Sequence, residues 1–109
     1  MNLPDSLDLI ADIGGTNARF ALTDPRTPQP ELHQVHSLPS AQFASLQHAA
    51  EHYLAQVGAR PRRAAIAVAS PVTRDEIRLT NRAWSFSQRE LQASLGLAQL
   101  EVINDFGAV

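Results

Sequence analysis

This 109-residue chain contains no cysteine, which excludes a disulfide framework and any thiolate metal site. Its opening residues, Met1-Asn2-Leu3-Pro4-Asp5, lack the basic and apolar regions of a secretory signal. No apolar run approaches the length of a membrane span. Charge of either sign is also in short supply. A net charge of −2 gives no electrostatic reason to expect nucleic acid or an anionic membrane as partner. The one basic cluster, Arg60, Arg62 and Arg63, is short, contains Pro61 and reads as a solvated loop before a strand. No internal repeat or low-complexity segment is present. These absences leave a cytoplasmic protein of one domain, long enough to bury roughly two-thirds of its unfolded surface.

What is present is sharply organised near the start. Asp12-Ile13-Gly14-Gly15-Thr16-Asn17-Ala18-Arg19 lies between Leu7, Leu9, Ile10 and Ala11 on one side and Phe20, Ala21 and Leu22 on the other. Two apolar strands joined by a double glycine make a hairpin, and glycines permit a turn with positive φ. Bare glycine backbone also lets N–H groups approach anionic oxygens, to which Thr16 and Asn17 add short polar side chains. Asp12 ends the first strand, where a carboxylate can hold magnesium directly or through its water shell. Arg19 is either phosphate-facing or a solvated cation.

Further on, Asp24-Pro25-Arg26-Thr27-Pro28-Gln29-Pro30 is a turn-forming connection to a third strand at Leu32 to Leu38. Ser40 is read as the N-cap of a helix ending near Gly58, with Phe43, Leu46, Ala50, Tyr53 and Val57 as its apolar stripe. Ala64 to Ala69 reads as a buried central strand. Ser87 and Glu90 give a capping box, and Phe86 with Leu91 a hydrophobic staple, for a second helix fading near Gly96. A last strand, Leu100 to Ile103, leads to Asn104 and Asp105. Strands alternating with helices in this order predict an α/β domain with a mixed sheet.

The glycine hairpin, Ala69-Ser70-Pro71-Val72, Leu79-Thr80-Asn81-Arg82-Ala83-Trp84-Ser85-Phe86 and Val102-Ile103-Asn104-Asp105-Phe106 together resemble the bacterial glucokinase family, within the actin, Hsp70 and sugar-kinase superfamily. The resemblance keeps order and spacing over nearly the whole chain. It implies a ribonuclease-H-like (actin-like ATPase) half-domain with a mixed five-stranded sheet and flanking helices. Residues 1–109 would be the N-terminal small domain, with the C-terminal large domain absent. The implied activity is ATP-dependent phosphorylation of glucose at its 6-hydroxyl, the chain by itself being inactive. The implied partners are glucose, ATP and Mg2+ and the missing C-terminal lobe; the parent would be a homodimer, and the fragment is expected to self-associate. A non-catalytic sugar-sensing domain of the same superfamily is the alternative, disfavoured by Asp105, since a sensor needs no base.

By resemblance, Asp105 is the catalytic base, and Asn104, Asn81 and Thr80 are sugar ligands. Asp12, Ile13, Gly14, Gly15, Thr16 and Asn17 would hold the nucleotide phosphates, Asp12 with the magnesium. Alone, Asn104-Asp105 would read as a turn closing a strand; the upstream hairpin turns that reading toward catalysis. Asn81 reads equally as a turn residue, and Trp84 as a core residue. Ser70 departs from the family's Gly-Pro or Cys-Pro loop, and Arg74-Asp75-Glu76 from its glycine-containing turn. His48-Ala49-Ala50-Glu51-His52 fits an inverted zinc-peptidase pattern. Those residues fall opposite the apolar stripe and lack a third ligand, so a polar helix face is expected. His33 and His36 are expected on a loop or edge strand.

Overall fold

The computed structural model describes residues 7–24, 26, 31–69, 75–78 and 84–104. Its centre is a five-stranded mixed sheet in the order β3-β2-β1-β4-β7. Strands β1 (Asp8–Ile13) and β2 (Asn17–Thr23) form the expected hairpin, and β3 (Leu32–Pro39) adds antiparallel to β2. Strands β4 (Arg63–Val68) and β7 (Gln99–Asn104) continue the sheet parallel to β1. His33 and His36 therefore lie on an edge strand, as expected.

Strand alternation sends Leu9, Ala11, Ile13, Ala18, Phe20, Leu22, Ile66 and Val68 to one face. Helices α1 (Leu46–Val57) and α2 (Gln88–Ser94) cover that face, contributing Leu46, Ala49, Ala50, Tyr53 and Leu91 to the same core. Each large apolar side chain buried there contributes roughly 1.5–3 kcal/mol. Tyr53 stacks on Phe20 at 5.2 Å and takes the edge of His36 at 5.4 Å. Its hydroxyl donates to the Gln34 carbonyl at 2.6 Å, and burial pushes its pKa up to about 12. Gln34 has φ 53 at the irregularity where the β2–β3 register shifts, so the tyrosine secures a bulge from below.

The first helix starts later than the sequence predicts. Its N-cap is Ser45, whose hydroxyl accepts from the His48 N–H at 3.1 Å, whereas Ser40 opens a separate three-residue 3-10 turn, Ser40–Gln42. Helix cannot run through Phe43, which has extended backbone (φ −127, ψ 143). Phe43 thus leaves the helical stripe and packs from outside it against the His52 ring. Gly58 ends α1 at φ 70 with its N–H on the Leu54 carbonyl, and Gly96 turns the chain after α2 at φ 67. His48, Glu51 and His52 are exposed, on the polar face assigned to them. Arg63 opens β4 and pairs with Asp8 at 3.1 Å, while Arg60 and Arg62 precede the strand.

A second small sheet was not anticipated: β5 (Glu76–Arg78) pairs antiparallel with β6 (Ser85–Ser87). Ile77, Trp84 and Phe86 bury their side chains in the common core, so these three-residue strands are set by packing. Asp75 fastens this hairpin to α2. Its carboxylate accepts from the Ser87 hydroxyl and from the Arg89 N–H at 2.9 Å, and its carbonyl accepts the Gln88 N–H at 2.9 Å. Ser87 in turn caps Glu90 N–H at 3.2 Å, as its position predicts. The Ser87 hydrogen bond, then the Arg89 N–H, hold the Asp75 carboxyl below its ordinary value of 3.8. A depressed folded pKa stabilises above the unfolded value and is lost as pH falls through the folded one. The thermal midpoint is therefore expected to drop as pH falls through the ordinary carboxylate value of 3.8 and below it. Asp75→Asn should flatten that stretch of a pH-melting series.

Candidate active site

Three parallel strands end on the same edge of the sheet, where the glycine turn and Asn104 stand. Ile13, Val68 and Asn104 lie level across β1, β4 and β7. Two strand spacings separate the glycine turn from Asn104, roughly 10 Å. The N-cap residues of both helices, Ser45 and Ser87, come together above this end and border one shallow cleft. Open α/β sheets place ligands beyond the carboxyl ends of their strands, because loops and helix N-termini gather there.

The turn itself is tight. Gly14 N–H donates to the Asn17 carbonyl at 2.9 Å, and Asn17 Nδ2 donates to Thr16 Oγ1 at 3.1 Å. Thr16 receives support that sequence reading missed: its carbonyl accepts the Ser40 N–H at 2.9 Å. Ser40 is buried at 5 % exposure, clamping the turn instead of capping a helix. Its serine identity suggested a cap because caps favour small hydroxyl residues; only the return of β3 beside β2 reveals the clamp.

The two glycines do not serve the purpose first expected. Neither lies at positive φ among the described residues, since that region holds only Gly58 and Gly96 of the glycines. A Cβ on Gly15 would meet nothing within 4 Å, and one on Gly14 only the Asn17 carbonyl at an ordinary 3.6 Å. Neither strain nor packing within the chain therefore demands glycine at either position. What the pair provides is a bare, exposed backbone at Gly15 and Thr16, open to the close approach of an anion.

Strand alternation then separates the polar groups by face. Asp12 and Arg19 are cross-strand neighbours, exposed on the face away from both helices. Asn104 alternates with Leu100 and Val102 on the helix side. Asp12 thus reaches the edge from one side and Asn104 from the other. Among the described residues no three acidic or imidazole groups gather in one place. Trp84 is a core residue, 1 % exposed, with Nε1 donating to the Phe43 carbonyl at 3.1 Å. Thr80, Asn81, Asp105 and Ser70 lie outside the described residues.

A mixed sheet with its helices on one side and a glycine hairpin at the carboxyl edge of its parallel strands has the actin-like ATPase fold shared by sugar kinases, and solved structures agree. The crystal structure of a glucokinase from an Antarctic psychrotroph superposes with a TM-score of 0.86 at 45 % identity, covering 97 % of this chain and 34 % of the other. A putative sugar kinase from Cytophaga hutchinsonii shares the fold at a TM-score of 0.68 and 19 % identity, over 92 % of this chain and 36 % of its own. The glucokinase family model matches residues 9–109, and the chain belongs to that family. A glucokinase of Chromohalobacter salexigens is 50 % identical over 101 residues, covering 92 % of this chain and 31 % of the relative. One from Stenotrophomonas maltophilia is 48 % identical, covering 92 % and 30 %. The chain thus spans about a third of the length of the curated relatives it matches. Among the described residues no helix is long and apolar enough to cross a membrane.

Proposed function

We propose that this chain is the N-terminal small domain, residues 1–109, of an enzyme that phosphorylates glucose at its 6-hydroxyl with ATP, a cytoplasmic step of glycolysis. Family membership supports the reaction class. The observation that carries the assignment to this chain's own residues is the glycine pair, which neither backbone strain nor packing requires. A bare turn at a sheet edge suits phosphate oxygens, which need close approach to backbone N–H groups. In this reading Ile13, Gly14, Gly15, Thr16 and Asn17 hold the nucleotide phosphates. Asp12 offers a single exposed carboxylate beside them. That fits magnesium, which takes one or two carboxylates and completes its shell with phosphate oxygens and water. The ion would neutralise charge on the transferring phosphoryl group.

Asn104, Asn81 and Thr80 would orient the sugar, and Asp105 would accept the 6-hydroxyl proton as that oxygen attacks the terminal phosphorus and the bond to the bridging oxygen breaks, releasing ADP. The remaining lobe would close over the edge and exclude water.

Gly15→Val tests the reading. Among the described residues nothing lies within 4 Å of where the new Cβ would go, so folding stability should stay within about 0.5 kcal/mol. In the full-length enzyme the added methyls would stand where phosphate must approach, lowering kcat/KM for ATP by about 100-fold. Denaturant melts with steady-state kinetics check both halves. Unchanged kinetics in a folded variant would remove the phosphate role from this turn.

A further inference from the structure

The glycine turn is exposed from Gly14 to Asn17, and the hydrogen bonds within it run from Gly14 to Asn17 and from Asn17 to Thr16. Bonds of that kind fix the shape of a loop but leave its tilt against the sheet free. The tilt is set from outside. Ser40 N–H donates to the Thr16 carbonyl at 2.9 Å, extending the β2–β3 pairing one residue past the Asn17–Pro39 pair. The peptide between Thr16 and Asn17 is planar, so a carbonyl held toward β3 fixes that whole unit. Ser40 is itself anchored. Its carbonyl accepts the Phe43 N–H at 3.2 Å, and the Phe43 carbonyl accepts Nε1 of the core residue Trp84 at 3.1 Å. A strut thus runs from the core to the tip of the turn. The Ser40 hydroxyl is buried and bonds nothing among the described residues, so the backbone of this residue does the holding.

We infer that Ser40 is a positioning residue for phosphoryl transfer, which presents the Gly15–Thr16 backbone to the nucleotide phosphates through its bond to the Thr16 carbonyl. The inference rests on the phosphate role proposed for the turn. Backbone donors fixed before binding serve an anion best, since ordering a loose loop at the moment of binding subtracts from affinity. The glycine pair makes that need acute. It leaves room for phosphate oxygens, and it also gives the chain its greatest backbone freedom. A tether from the neighbouring strand restores stiffness without placing a side chain where the ligand must approach.

Ser40→Pro removes the tethering N–H, and proline suits the position otherwise. Pro39 holds φ −64 and ψ 125, the extended conformation favoured before a proline, and Ser40 opens its 3-10 turn, where proline is well accepted. In the full-length enzyme kcat/KM for ATP should fall about 10–100-fold, the worth of one hydrogen bond to a charged group. KM for glucose at saturating ATP should stay within about twofold, because the tether bears on one substrate only. Ser40→Ala, which keeps the N–H and loses only the unbonded hydroxyl, should recover kcat/KM for ATP to within about twofold of the parent. Circular dichroism reports folding. If the proline variant does not fold, lactic acid in place of residue 40 exchanges the N–H for an ester oxygen at little change in shape. It should show the same loss when compared with Ser40→Ala. Unaltered ATP kinetics in a folded proline or ester variant overturn the inference. So does an equal loss in Ser40→Ala, or a matching rise in KM for glucose. Gly15→Val assayed alongside separates the two readings. If that variant loses activity toward ATP and the variants lacking the N–H do not, the phosphate role of the turn stands and the tether falls; if neither loses it, both fall.

Discussion

Replacing Asp105 with Ala in the full-length enzyme is expected to lower kcat by about 10²–10⁴-fold while leaving glucose binding measurable. The asymmetry follows from the division of labour proposed for the sheet edge. Asn104, the last residue of β7, and the Thr80-Asn81 stretch would keep their hydrogen bonds to sugar hydroxyls in the variant. The proton of the attacking hydroxyl would have no acceptor, so the loss should fall on turnover, with KM little changed. Calorimetric titration of glucose alongside a coupled assay separates the two. Equal loss of binding and turnover would make Asp105 a sugar ligand only and would favour a sensing domain over an enzyme.

Trp84→Ala is expected to remove about 3–5 kcal/mol of stability. The indole is 1 % exposed in the single core, and its N–H donates to the Phe43 carbonyl. Truncation therefore opens a large cavity and releases the segment that leads into α1. Domains of this size have only about 5–15 kcal/mol in total, so the variant should unfold at markedly lower denaturant and temperature. A shift of about 4–8 °C accompanies each kcal/mol in domains near 100 residues. Trp84→Phe should lose less, about 1–3 kcal/mol, because most ring packing survives while the hydrogen bond to the Phe43 carbonyl is lost. Urea melts of both variants check the order. A phenylalanine variant as unstable as the alanine one would shift the emphasis from packing to the hydrogen bond.

Periodicity made most elements readable in advance. Alternating apolar residues revealed β1 and β2, because one face of each strand is more deeply buried than the other. Capping chemistry located α2 at Ser87, since Ser followed by Glu three residues later serves the first turn locally. The β5–β6 hairpin escaped notice because three residues per strand leave no period to detect. Ser40 misled because two serines, Ser40 and Ser45, stand before the same apolar stripe. Local chemistry does not choose between them. The choice falls to Thr16, whose carbonyl engages the Ser40 backbone from a distant part of the chain.

The candidate site divides in the same way. Its chemical vocabulary, an acid, two glycines, Thr and Asn after one strand and Asn-Asp after another, was present in the order of residues. The part each plays in space was not. That Asp12 and Asn104 approach the edge from opposite faces depends on the pairing of β1 with β4 and of β4 with β7. That the glycines are free of strain depends on a turn conformation that glycine permits but does not dictate.

By itself the sequence determined most of the strand and helix segments, because propensity, capping and alternation act over a few neighbours. Only the tertiary structure decided that Ser40 clamps the turn, that Asp75 ties a hairpin to α2, and that α1 and α2 share one face of the sheet. Those facts arise from contacts between residues far apart in the chain, and long-range pairing is where local rules cease to choose.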